Sequence, residues 1–176
     1  MKNVIPTQEV PELVVKTVNG MRWDLREEQP ENFTMIVFYR GLHCPYCKVY
    51  LEEINSKIYK LRDNGINVIC ISANSGRLAE DTVTKWEIEK LVIGHSLPIE
   101  TARKWDLYIS KGINKKEPEY FFEPAIFLVK PDNTLYAANI QSMPFARPSI
   151  DDIIKSTDYI LDNDYPARGE NKSKRR

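Results

Sequence analysis

The sequence predicts an α/β sandwich, a central sheet with helices on both faces, opened by a β-hairpin. Three observations predict it. Apolar runs of strand length, rich in β-branched and aromatic residues, recur at 34–39, 66–71 and 125–129. Between the first two lies a stretch whose apolar residues Cys47, Leu51, Ile54, Ile58 and Leu61 step by three and four, the spacing of one helix face. The Asn19-Gly20 dipeptide sits between alternating apolar residues, a strong hairpin signal. Strand, helix, strand, helix, then a late hairpin and a closing helix stack naturally as layers. At 176 residues the chain is one domain. We place that domain at 1–165 and a basic, disordered tail at 166–176.

The elements follow in order. Residues 12–25 form the hairpin: Leu13, Val14 and Val15 lead to the turn, and Met21, Trp23 and Leu25 alternate after it. Residues 26–33 are polar, contain Pro30 and read as a loop. Residues 34–39 are a buried strand, and 40–44 connect it to a helix. Pro45 suits the first helical position, where its missing N–H costs nothing. That helix runs to about residue 64, and Gly65 is a natural stop. Residues 66–71 are a second strand, apolar apart from Asn67. A helix over 78–90 turns Leu78, Val83 and Trp86 inward, and a short apolar segment follows at 91–93. A helix over 99–107 carries Ile99, Ala102 and Trp105, and 108–119 read as a charged loop. Residues 125–129 are a third strand, 130–133 a turn and 134–140 a fourth strand. Ser149 is a good N-cap for a last helix, with Asp151 and Asp152 in its first turn. Its expected buried side is Ile150, Ile153, Ile154, Thr157 and Leu161.

Composition narrows the function. Lys plus Arg and Asp plus Glu both number 25. A zero balance argues against nucleic acid or an anionic membrane as the main partner, since both select a positive excess. Five bases and one acid fall in 166–176, so the body carries a net charge of −4. Hydrophobic residues make up 42%, enough for a real core. The longest apolar runs are five residues, against roughly 20 for a membrane span. The first residues lack the apolar stretch of a signal peptide. We read the protein as cytoplasmic. Three cysteines rule out a secreted disulfide scaffold.

Cys44-Pro45-Tyr46-Cys47 carries the chemistry. The thiolate is the reactive form of cysteine, and an ordinary thiol is mostly protonated in the cell. A helix start presents unpaired N–H groups and roughly half a positive charge, which stabilise a thiolate. A strand that ends, turns and feeds a helix at Pro45 puts Cys44 at that spot, with Cys47 one turn in. A Cys-x-x-Cys pair at such a junction is a dithiol redox signal. Zinc is the weaker reading, because four ligands are needed. The sequence offers only Cys44, Cys47, His43 and a distant His95. No second Cys-x-x-Cys and no Gly-rich dinucleotide fingerprint exists, so no bound cofactor is implied. Cys70, inside an apolar strand, reads as a core residue.

The stretch 36–47, Ile-Val-Phe-Tyr-Arg-Gly-Leu-His-Cys-Pro-Tyr-Cys, resembles the active-site region of the thioredoxin-fold superfamily. Within it, the chain is similar to the peroxiredoxin-like branch of the alkyl hydroperoxide reductase/thiol-specific antioxidant (AhpC/TSA, redoxin) family. The similarity spans about 10–162, through 68–73, 123–129 and 141–148. It implies a thioredoxin-like, peroxiredoxin-type three-layer sandwich with a central mixed sheet. Peroxiredoxins carry Pro-x-x-x-Thr/Ser-x-x-Cys here. By that pattern Arg40 stands at the proline, Cys44 at the threonine and Cys47 at the peroxide-attacking cysteine. The family's arginine just before the 125–129 strand is replaced by Pro124, which resembles the cis-proline that thioredoxins keep beside their disulfide. The frame is peroxiredoxin-like and the centre thioredoxin-like.

Supporting roles follow. His43 could lower the cysteine pKa as a cation or take its proton as a base. Arg40 could pair with the thiolate, and Tyr46 could meet partners. Arg147 reads as a solvated loop charge, and residues 120–122 as core rather than a dimer contact. The burial pattern makes Cys44 the exposed nucleophile and Cys47 the protected partner; the family pattern favours attack by Cys47. The expected activity is that of a thiol-dependent oxidoreductase and antioxidant reducing hydroperoxides or protein disulfides. A thiol donor of thioredoxin, glutaredoxin or glutathione type would restore it, and a homodimer is compatible with the resemblance. The alternative is a non-catalytic redox sensor or binding module that switches when the Cys44–Cys47 disulfide forms.

Overall fold

The computed structural model describes residues 4–170. Its strands are β1 (Val14–Thr17), β2 (Arg22–Asp24), β3 (Phe33–Phe38), β4 (Ile66–Ile71), β5 (Val92–His95), β6 (Ile109–Lys111), β7 (Tyr120–Phe122), β8 (Ala125–Val129) and β9 (Leu135–Ile140). Its helices are α1 (Pro45–Asp63), α2 (Gly76–Trp86), α3 (Ile99–Lys104) and α4 (Ile150–Asn163). One mixed sheet runs β2-β1-β5-β4-β3-β8-β9. β3, β4 and β5 are parallel neighbours; β8 runs antiparallel to β3, and β9 antiparallel to β8.

β3 is buried along its whole length. Alternate strand residues point to opposite faces, so β3 feeds two cores. Met35 and Val37 join Leu51, Ile54 and Ile58 of α1, Ala79 and Trp86 of α2, and Ile150 and Ile153 of α4. Ile36 and Phe38 join Leu13 and Trp23 of the hairpin region, Ala102 and Trp105 around α3, and Phe127. The predicted three-layer sandwich with its opening hairpin is the observed fold. On the second face Phe38, Trp105, Phe122 and Phe127 meet in tilted and edge-on contacts, the geometry aromatic rings prefer.

Several elements differ from expectation. α2 begins at Gly76, capped by the Ser75 hydroxyl accepting from the Leu78 N–H. Trp86 is buried and Val83 packs against the core as expected, but Ala79 and Thr82 are buried as well and Leu78 is exposed. α4 buries Ile150, Ile153 and Thr157, but Leu161 is exposed and Ile160 packs in its place, as the helical phase drifts. The charged 108–119 loop includes β6, which pairs antiparallel with β7. Ser110 and Lys111 hide that strand in the sequence. Leu25, expected as the last residue of the hairpin, instead begins a 3-10 turn capped by Asp24 that runs to Glu27, into the expected 26–33 loop. Residues 166–170 have no regular secondary structure. The rest of the expected tail, 171–176, lies outside the described residues. No helix among the described residues is long and apolar enough to cross a membrane.

Candidate active site

β3 ends against buried Tyr39, and five residues turn the chain into α1. Gly41 makes that turn possible. Its φ is +129°, and a Cβ there would lie 2.6 Å from the Asn74 amide. The side-chain Oδ1 of Asn74 accepts from the Leu42 N–H at 2.8 Å, so β4's following loop stitches this turn in place. Cys44 is the N-cap of α1 and Pro45 its first residue. In place of the usual cap oxygen, the Cys44 Sγ accepts the Cys47 N–H at 3.2 Å. Cys47 follows one turn in, on the buried stripe. The two cysteines approach to 2.6 Å and are free thiols.

Both thiols are buried, Cys44 with 1% of its surface exposed and Cys47 with none. The expectation of an exposed Cys44 is corrected: it is buried with Cys47, its N–H bonded to the Gly41 carbonyl, and the 141–148 segment lies against the first turns of the helix through Arg147 on Cys47 and Phe145 on Tyr46. The electrostatics still separate the two. The Cys47 thiol and backbone N–H both donate to Cys44, and Arg147 and Arg40 add positive charge. Together these outweigh burial and draw the Cys44 thiol down to about 6. Burial and its role as donor to Cys44 push the Cys47 thiol well up, against the pull of Arg147. Cys70 is pushed up by complete burial, as an inert core thiol is.

Arg147 belongs to the strap formed by 141–148, between β9 and α4. Its Nη2 donates to the Cys47 Sγ at 2.9 Å, its Nε to the Pro144 carbonyl at 2.9 Å, and its guanidinium lies 5.0 Å from the Tyr50 ring centre. The Tyr50 hydroxyl donates to the Pro148 carbonyl at 2.7 Å. Gln141 Nε2 donates to the Phe145 and Ala146 carbonyls. The Gln141 N–H reaches the Pro124 carbonyl at 3.0 Å. Exposed Tyr46 meets exposed Phe145 edge-on, with ring centres 5.1 Å apart. Read as a solvated charge in the sequence, Arg147 stands on the sulfur. The signal that could have found it is the missing arginine at 124.

The other expected residues lie close by, with altered roles. Arg40 pairs with Glu123 at 3.5 Å and Glu117 at 3.8 Å, and its guanidinium covers the Phe121 ring. Ser110 donates to the same Glu123 at 2.6 Å. The guanidinium is therefore held by carboxylates rather than by a thiolate. The His43 ring meets Phe121 edge-on. Burial and the Arg40 charge push its pKa down, which disfavours the cationic form. Pro124 is buried, and the peptide before it is trans, since the described residues contain no cis bond. The thioredoxin-type cis-proline is absent here. Phe121 and Phe122 are core, while Tyr120 is exposed. Among the described residues no group of three or more His, Cys, Asp or Glu is placed to hold a metal ion.

The AhpC/TSA family model matches residues 6–138. A search of curated proteins by sequence returns no match. Among solved structures, a peroxiredoxin-like protein from Aquifex aeolicus superposes with a TM-score of 0.70 at 13% identity, over 89% of this chain and 86% of that one. The Enterococcus faecalis AhpC superposes with a TM-score of 0.73 at 12% identity, over 92% and 97%. Reduced Prx3 from Vibrio vulnificus, in complex with hydrogen peroxide, gives 0.74 at 10% identity, over 88% and 99%. At these identities the likeness is one of fold.

Proposed function

Since the chain belongs to the AhpC/TSA family, we propose that it is a thiol-dependent oxidoreductase whose Cys44 and Cys47 cycle between dithiol and disulfide. Its task is antioxidant: it reduces hydroperoxides or protein disulfides, and an external thiol donor of thioredoxin, glutaredoxin or glutathione type restores it. The observation that carries this reading is the pair of free cysteines at the start of α1, which approach each other to 2.6 Å.

Cys44 attacks first. The hydrogen bonds from Cys47 give it the negative charge near neutral pH. The family pattern favours attack by Cys47, but in this pair Cys47 is the donor and holds the proton. Burial of both sulfurs supports a small oxidant such as a hydroperoxide over a folded protein disulfide, and by the same argument a small thiol of glutathione type over a protein as the donor. Arg40, held by Glu117 and Glu123, contributes its field rather than a contact.

The test is steady-state consumption of hydroperoxide and of insulin disulfide by the wild type, Cys44→Ser and Cys47→Ser, with a thiol donor present. The wild type consumes many equivalents per chain and both variants fail. Variants that match the wild type in both assays sink the dithiol reading. A wild type that reacts once and stops is a sensor.

A further inference from the structure

We propose that Arg147 is the catalytic residue of the second chemical step: its guanidinium holds Cys47 as a thiolate while that sulfur closes the disulfide onto oxidised Cys44. This rests on the dithiol reading above. The guanidinium touches a reacting atom and is aimed at it. Nη2 lies 2.9 Å from the Cys47 Sγ, Nε is tied to the Pro144 carbonyl, and the plane packs on Tyr50. The strap is fixed in turn by the Tyr50 hydroxyl on Pro148 and by Gln141.

The reason lies in what happens to Cys47 between the two steps. In the reduced pair Cys47 donates its proton to Cys44, which keeps Cys44 charged. Once Cys44 is oxidised its sulfur is neutral and that acceptor is gone. Cys47 is then a thiol buried with no exposed surface, and burial alone leaves a thiol inert. Of the influences that act on it, the one that still favours the thiolate is the Arg147 charge.

With a hydroperoxide the balance runs in two stages. The Cys44 thiolate attacks oxygen; an S–O bond forms, the O–O bond breaks, and the departing alkoxide takes a proton from solvent. Cys44 is now a sulfenic acid. The Cys47 thiolate then attacks the Cys44 sulfur; the S–S bond forms, the S–O bond breaks, and hydroxide leaves. The proton that Cys47 released turns that hydroxide into water. The sulfur pair has lost two electrons and the peroxide has gained them.

The experiment mixes the reduced protein with one equivalent of hydrogen peroxide and quenches at intervals with dimedone, which captures sulfenic acids, before peptide mass analysis. The wild type passes to the Cys44–Cys47 disulfide with little captured adduct. Arg147→Met accumulates adduct on Cys44 and closes the disulfide roughly tenfold or more slowly, the effect of removing one opposite charge. Its first step, the loss of peroxide, changes less. Arg147→Gln does the same, carries the test if Arg147→Met does not fold, and recovers closure as pH rises, the mark of a lost charge. Arg147→Lys restores most of the rate. Closure at wild-type speed in the neutral variants, or slowing confined to the first step, overturns this inference alone. A wild type that forms no Cys44–Cys47 link overturns the dithiol reading and this inference together.

Discussion

The two regions that meet at the sulfurs are built in different ways. Residues 40–47 form a local device: a glycine turn, an N-cap and the first turn of a helix, all within eight positions of the chain. The 141–148 strap is a remote one. It returns about a hundred residues later and lays Arg147 on Cys47. The local device sets which sulfur is charged, through hydrogen bonds from Cys47 to Cys44. The remote device supplies a full positive charge to the other sulfur. Proximity in sequence settles the motif, and tertiary closure settles its electrostatics.

Four changes test that division, and the largest effect falls on the local device. Cys44→Ser or Cys47→Ser should cut turnover by about three orders of magnitude or more, the scale of losing a nucleophile, as read by steady-state peroxide consumption. Gly41→Ala comes next. Its φ of +129° and the collision with Asn74 should destabilise the fold by about 1–3 kcal/mol, measured by urea unfolding of the reduced protein. The collision should also pull Asn74 off the Leu42 N–H and lower the rate of the first step.

The pH profile is the third. Cys44 titrates near 6 in the folded protein and near 8.5 when unfolded. A depressed acid stabilises fully above the unfolded value and loses that contribution as pH falls through the folded one. The reduced protein should therefore be more stable at pH 8.5 than at pH 5.5. His43, also depressed, acts in the same direction below its usual range. Cys44→Ser should remove the part of the slope between pH 6 and 8.5 and leave the His43 part, as read by thermal melts across pH. The smallest effect belongs to the strap's tether. Tyr50→Phe loses the bond to the Pro148 carbonyl and should cost about 0.5–1.5 kcal/mol. If Tyr50→Phe slows the redox cycle more than Gly41→Ala does, the local device is not the dominant one.

The sequence exposed those parts whose signals are short-range. The Asn19-Gly20 turn, the stripe from Cys47 to Leu61 and the Ser149 cap each need a few adjacent residues, and each is where the periodicity places it. β6 escaped because Ser110 and Lys111 break the apolar pattern, and its pairing with β7 spans the loop between them. On α2 Trp86 and Val83 face the core as expected, but Leu78 does not, because the buried side there is made by the small residues Ala79 and Thr82, which hydrophobicity alone does not single out. At the site, Cys44, Pro45 and Cys47 were legible as a unit. The engagement of Arg40 with Glu117 and Glu123 was not, because those carboxylates stand about 80 residues away. Arg147 was hidden for the same reason. The shift of His43 toward neutrality depends on burial and on Arg40, neither of which a sequence displays.

Peptide mapping by mass spectrometry after one equivalent of hydrogen peroxide tests the central claim most directly. The account predicts a linked pair of Cys44 and Cys47 peptides lighter by two hydrogens, reversed by a thiol donor. Sulfonic acid on either cysteine with no link between them would contradict it.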